Sequence, residues 1–188
     1  MSEAAEKYET SMAAVMKLSD EAVINAVKKY DKLYAVNFNC PSQIVVSGLK
    51  TSVEKFKDEV TDLGGKMIPL KVSAAFHSPF MAEASDKFKE ELGRYTFSAA
   101  ALPVYSNVTA EPYGDDITDC LAMQIKSPVK WQQIIENMIR DGFTDFIELG
   151  PGKTLSKLIS KISKDVNVYS VEDTETLNKT LAEVKANA

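Results

Sequence analysis

Six segments between Ser11 and Lys71 follow one another in the order strand, helix, strand, strand, helix, strand. "SMAAVM" (11–16) reads as a short strand. Ser19 then caps a helix running to about Tyr30, with Asp20 and Glu21 in its first turn, where negative charge is favoured. "LYAVNFN" (33–39) alternates as a strand, Pro41 interrupts, and "QIVVSG" (43–48) reads as a second, more buried strand. Thr51 or Ser52 opens a helix with Val53, Phe56, Val60 and Leu63 on one face, closed by Gly64-Gly65. "KMIPLKV" (66–72) is the last strand. Pro69 brings no N–H to a ladder, so this strand belongs at an edge or a bulge. The order is that of the split βαβ, or ferredoxin-like, unit. Residues 11–71 are therefore assigned to a ferredoxin-like small subdomain, preceded by a polar lead-in at 1–10.

Residues 72–188 follow a different pattern. The helix after Pro79 carries Phe80, Met81, Ala84, Phe88 and Leu92 on one side. "LPVYSNV" (102–108) reads as a short buried strand. Asp115 or Asp116 starts a helix to about Lys126, and Ser127-Pro128 starts another to about Asp141. Gly142 ends that helix and "TDFIELG" (144–150) is a strand. "GPGK" turns into a helix over 154–163, "NVYSVE" (167–172) is a strand, and an amphipathic helix spans 174–185. Strands alternating with helices imply a parallel sheet with helices packed on it. A sheet of three parallel strands is small, and such sheets need cover on both faces, so this α/β half reads as part of a larger sheet.

No apolar run approaches the length of a membrane span, and the acidic start "MSEAAEKYET" has no signal-peptide pattern. Cys40 and Cys120 show no CxxC spacing and read as reduced thiols of a cytoplasmic protein. The net charge of −5 argues against a nucleic-acid partner. One histidine and two separated cysteines leave no cluster from which to assemble a metal site.

The single histidine, His77, follows an apolar approach (Val72, Ala74, Ala75, Phe76) and precedes Ser78-Pro79, a helix-start signal. A neutral imidazole placed there can accept a proton, which suits a general base. It can equally be a hydrogen-bonded histidine that stabilises the turn. Ser73 and Ser78 are near in sequence, but chain neighbours rarely reach attack geometry, and no GxSxG elbow occurs. "GPGKT" (150–154) lacks the earlier glycine of a phosphate loop, Ile147 standing in its place, and reads as a structural turn. Lys153, Lys157, Lys161 and Lys164 recur along one helix face. They form either a solvated face or a docking stripe for an acidic partner.

Five blocks, "NFNCPSQIVVSG" (37–48), "PLKVSAAFHSPFM" (69–81), "PVYSNVTAEP" (103–112), "QIKSPVKW" (124–131) and "FIELGPGKTLSKL" (146–158), occur in the order seen in bacterial malonyl-CoA:acyl carrier protein transacylases. The chain resembles that family over nearly its whole length, and is similar also to the acyltransferase domains of polyketide and fatty acid synthases. The resemblance implies an α/β-hydrolase-like large subdomain carrying an inserted ferredoxin-like one. It implies transfer of malonyl from coenzyme A to acyl carrier protein through a serine ester. The coenzyme A thioester is then a substrate, with no permanently bound cofactor. By the same resemblance His77 is the catalytic base, the backbone carbonyl of Gln124 orients it, and Phe76 fits malonyl selectivity. The one-sided spacing of the lysines on an otherwise acidic chain makes Lys157 and Lys161 the expected contacts to such an acidic carrier protein.

The opening "MSEAAEKYETSMAAVM" aligns with an internal stretch of the family, just after the arginine that clamps the malonyl carboxylate. The elbow serine, that arginine and the oxyanion donors have no counterpart in these residues. The resemblance therefore implies a C-terminal portion, inactive alone, whose unfinished sheet invites a separate N-terminal portion or a second copy. A carrier-protein-binding module without chemistry is the alternative. A hydrolase using His77 with another nucleophile is disfavoured, because a base without a placed nucleophile gives no covalent catalysis.

Overall fold

The computed structural model describes residues 1–188 apart from 2, 4, 5, 73 and 188, with the backbone alone at Asn187. Ser73 thus lies outside the described residues. The chain divides into two compact units, 1–134 and 135–188.

The first unit opens with β1 (Thr10–Met16), α1 (Asp20–Val27), β2 (Leu33–Cys40), β3 (Gln43–Leu49), α2 (Lys50–Asp62) and β4 (Lys66–Pro69). The strands form one sheet in the order β2-β3-β1-β4, antiparallel at every pairing. Ser19 caps α1, its Oγ accepting from the Ala22 N–H at 3.2 Å. α2 begins one residue before the expected Thr51, and its Lys50 N–H donates to the Glu9 carbonyl at 2.9 Å rather than to a capping side chain.

Val53, Phe56 and Val60 of α2 pack with Val15, Ile44 and Val46 of the sheet in a closed core. Tyr30 meets the Phe56 ring edge-on at 5.3 Å. Leu63 is 48% exposed, because it caps the helix instead of continuing its buried face. Gly48 faces Leu33 across β2-β3, where an added Cβ would lie 2.2 Å from the Lys32 carbonyl oxygen. No larger residue fits there. Pro69 sits on β4, which among the described residues is an edge strand paired with β1, so its missing N–H costs the ladder nothing. β4 ends at Pro69, short of the expected Val72.

β2 carries register shifts between Ala35 and Asn37 and between Phe38 and Cys40. Its outer edge is met by Val129, whose N–H donates to the Val36 carbonyl at 2.7 Å and whose carbonyl accepts from Phe38 at 2.9 Å. The unit continues with a 3₁₀ turn (Pro79–Met81), α3 (Ala82–Leu92), α4 (Ile117–Lys126) and α5 (Trp131–Arg140), within which the division between units falls. The Ser85 hydroxyl donates to the Ala122 carbonyl at 2.8 Å and ties α3 to α4.

Two expectations fail here. "LPVYSNV" is not a buried strand: Leu102 is 76% exposed, and the pairing of Tyr105 with Pro112 is an isolated bridge rather than part of a strand. Its backbone closes a local loop instead, with Tyr113 N–H on the Val104 carbonyl and Ser106 N–H on the Glu111 carbonyl. Nor does Ser127-Pro128 start a helix. Ser127 is extended (φ −114°, ψ 155°), as a residue before proline prefers, and Val129 is spent on pairing with β2.

The second unit contains β5 (Asp145–Leu149), α6 (Thr154–Ile162), β6 (Asn167–Val171) and α7 (Thr174–Asn187). β5 and β6 pair in parallel from Asp145↔Asn167 to Leu149↔Val171. Among the described residues the parallel set therefore has two strands rather than three. Phe146 and Tyr169 are buried, whereas Ile147 and Leu149 are 49% and 78% exposed.

Candidate active site

His77 is held by its neighbours in sequence and by β1. Ala74 and Ala75 are fully buried, and the Ala75 N–H donates to Thr10 Oγ1 at 3.0 Å. His77 itself has φ +58°, in the left-handed region. That conformation costs a non-glycine residue on the order of 1 kcal/mol and persists only where the surroundings impose it. Ser78 is buried, donates its hydroxyl to the Ala75 carbonyl at 2.6 Å, and accepts from the Phe80 N–H at 3.4 Å. It is a helix cap with its hydroxyl committed, not a partner for His77.

The His77 Nδ1 lies 3.0 Å from the backbone carbonyl oxygen of Gln124. A carbonyl can only accept, so this hydrogen bond requires the proton on Nδ1 and leaves Nε2 with the lone pair when the ring is neutral. The sequence frees that carbonyl for the purpose. Gln124 lies in the last turn of α4, and its helical partner would be the N–H of residue 128. Residue 128 is proline, which has none. The negative end of the α4 dipole thus meets the ring N–H. The four-residue spacing from Gln124 to Pro128 is a signal legible in the sequence alone.

The Gln124 side chain is gripped at both ends. Its Oε1 accepts from Asn107 Nδ2 at 2.9 Å, and its Nε2 donates to the Tyr113 hydroxyl at 2.5 Å. Sequence reasoning named neither Asn107 nor Tyr113 as a site residue. Both stand on the loop 104–113, which is closed upon fully buried Ser106: the Ala110 N–H donates to the Ser106 carbonyl at 2.9 Å, and the Val108 N–H to Ser106 Oγ at 3.1 Å. The Lys130 N–H donates to the Asn107 carbonyl at 3.1 Å. Burial, and secondarily the Cys120 thiol group beside it, push the Tyr113 hydroxyl above the usual phenol range, so it keeps its proton.

A groove of about 660 Å³ opens beside His77. Tyr34, Val36, Phe38 and Pro79 give it apolar walls, and Lys28 and Lys126 add positive charge. Such a space suits an elongated, partly apolar ligand that carries an anionic group.

In the second unit Lys157 and Lys161 are exposed on α6. The "GPGKT" segment is a turn: Gly150 and Gly152 have φ +128° and +87°, and the Gly152 N–H donates to Glu172 Oε2 at 2.8 Å. The first amides of α6 are already taken. Glu148 accepts from the Leu155 N–H at 3.0 Å and from the Ser156 N–H and hydroxyl at 2.8 and 2.6 Å. Burial works to raise the Glu148 carboxyl, but these bonds outweigh it and hold it below the usual carboxylate range. Among the described residues no cluster of ligating side chains could hold a metal, and no helix is long and apolar enough to cross a membrane.

The family model for the acyl transferase domain matches residues 1–184. The chain belongs to the acyl transferase domain family. Among relatives in this family, it is 38% identical over 198 residues to the malonyl CoA-acyl carrier protein transacylase of Bacillus subtilis (strain 168), covering 100% of this chain and 62% of that protein. It is 41% identical over 160 residues to the polyketide biosynthesis malonyl CoA-acyl carrier protein transacylase PksC of the same organism, covering 82% of this chain and 55% of that protein. Among solved acyl transferase structures, it matches the malonyl CoA-acyl carrier protein transacylase of Clostridium perfringens with a TM-score of 0.91 at 38% identity, covering 94% of this chain and 58% of that one. It matches PlMCAT:AntF, a type II PKS acyl-carrier protein in complex with its malonyl-transacylase, with a TM-score of 0.92 at 29% identity, covering 96% of this chain and 60% of that one. The chain thus spans less than two thirds of the length of these relatives, and its mixed α/β fold is theirs.

Proposed function

We propose that this chain is the C-terminal portion of a malonyl-CoA:acyl carrier protein transacylase of fatty acid or polyketide synthesis. Residues 11–71 are read as its ferredoxin-like small subdomain and 72–188 as part of an α/β-hydrolase-like large one. The β2-β3-β1-β4 order with two helices supports the first of these. The observation that carries the functional reading is the Nδ1–H of His77 on the Gln124 carbonyl, which sets Nε2 as the proton acceptor.

In the proposed reaction a serine hydroxyl attacks the malonyl thioester of coenzyme A while His77 Nε2 takes its proton. The C–S bond breaks and His77 returns the proton to the departing coenzyme A thiolate. The carrier protein's pantetheine thiol then loses its proton to His77 and attacks the serine ester. The C–O bond breaks and His77 protonates the serine. These 188 residues contain no GxSxG elbow, so on this reading the serine lies outside them, and they do not turn over by themselves. Lys157 and Lys161 are proposed to meet the acidic carrier protein.

The test is transfer of labelled malonyl to carrier protein by this chain alone, by a family N-terminal portion alone, and by both mixed. Transfer is expected only in the mixture, falling about 10²–10⁴-fold with His77→Ala. Reversal of Lys157 and Lys161 to glutamate, or added salt, should weaken transfer by raising the demand for carrier protein. Turnover by this chain alone that survives His77→Ala would sink the half-site reading. Indifference to both lysine reversal and salt would leave α6 a solvated face.

A further inference from the structure

We propose that Asn107 and Tyr113 are positioning residues, which clamp the Gln124 side chain so that its backbone carbonyl holds His77 in the Nδ1–H tautomer. The inference rests on the transacylase reading for its role in the reaction, but its physical content does not need that reading.

A backbone carbonyl is a weaker orienting group than a carboxylate, since it has no charge and cannot move independently of its chain. Its direction is set by the peptide plane that carries it. Gln124 is two residues from the end of α4, where helices fray, and no helical N–H restrains its carbonyl because residue 128 is proline. Left alone, this peptide could tilt toward water. The side chain supplies the missing restraint. The amide is engaged with both polarities satisfied, Oε1 by the Asn107 donor at 2.9 Å and Nε2 by the Tyr113 oxygen at 2.5 Å.

Turning the amide over would set nitrogen against the Asn107 nitrogen, so a single orientation is specified. The two grips come from one loop, itself locked on Ser106 and carrying Ala110 in the left-handed region (φ +62°). Asn107 is further tied to Lys130, beyond Pro128, so the loop spans both sides of the α4 end. The Tyr113 hydroxyl, kept protonated by its burial, remains neutral beside the site and adds no charge that would compete for the imidazole.

The chain has one histidine, so nitrogen-15 NMR of the imidazole reports His77 without assignment ambiguity. At a pH where the ring is neutral, the native chain should show the Nδ1–H form in excess. Tyr113→Phe, which removes one oxygen, and Asn107→Ala should each shift the tautomer ratio toward Nε2–H by about 2- to 10-fold, the equilibrium equivalent of one hydrogen bond. Gln124→Ala should match their combination. Gln124→Glu should restore the native ratio, since a carboxylate accepts from both Asn107 and the Tyr113 hydroxyl. A loop that served folding only would lower stability without moving this ratio. An unchanged ratio in Tyr113→Phe and Asn107→Ala overturns the clamp. Should Asn107→Ala fail to fold, Tyr113→Phe decides alone. The ratio is read on this chain without any acyl donor. Loss of the ratio shift with His77-dependent transfer intact would therefore reject the clamp only, and absence of transfer with the shift present would reject the transacylase reading only.

Discussion

The sheet of residues 10–69 and the strand pair of residues 145–171 are built from similarly apolar segments, yet one is closed and the other open. In the first, two helices and four antiparallel strands surround Phe56, Val60, Ile44 and Val46, each with almost no surface left. Its outer strands are modest liabilities: β4 is short and ends at Pro69, and the edge of β2 is met by Val129. In the second, β5 buries Phe146 but leaves Ile147 and Leu149 largely open. A parallel pair needs cover on both faces, and α6 and α7 do not provide it for these side chains. The antiparallel sheet is stabilised by its own apolar core, whereas the parallel pair depends more on polar locks such as Glu148 on the start of α6.

The sharpest way to break this contrast is Phe56→Ala. Emptying a fully enclosed aromatic site should cost about 3–5 kcal/mol in urea unfolding followed by circular dichroism. A loss below about 1 kcal/mol would mean that the sheet's core is not what holds it. Glu148→Ala should cost less, about 1–2 kcal/mol, as for a lost helix cap. This change also has a pH signature. A folded-state carboxyl held below its unfolded value means the fold prefers the ionised form. The contribution is then full above the ordinary carboxylate range and is lost as pH falls through the depressed folded value. Stability measured against pH should therefore fall less steeply on the acid side in Glu148→Ala than in the native chain. Parallel acid profiles would rule out the lock. The smallest effect is expected at Leu149, where Leu149→Ser should change stability by no more than about 0.5 kcal/mol because little surface is covered there. A large loss would show that the open face is covered after all.

Much of this arrangement could be read before any coordinates. Although α1 ends at Val27 rather than near Tyr30 and β4 at Pro69 rather than Val72, period-two runs and the Ser19 and Gly64 signals place the starts of these six elements to within two residues, because each is decided by local sterics and hydrogen bonding. The same is true of β5, α6 and β6. His77 and Gln124 are legible in the sequence through a family resemblance, and the release of the Gln124 carbonyl follows from Pro128 four residues on. Local rules misplace "LPVYSNV", where an apolar run reads as a strand, and Ser127-Pro128, where a helix-start signal loses to pairing with β2. Only the tertiary structure decided these, because strand partners and helix starts depend on which distant backbone groups remain unpaired. It also decided that Asn107 and Tyr113 meet the amide of Gln124, and that Ser78 spends its hydroxyl on the Ala75 carbonyl. A hydrogen bond needs its two atoms within about 3 Å and aligned, and no spacing along the chain fixes that distance between residues on different elements.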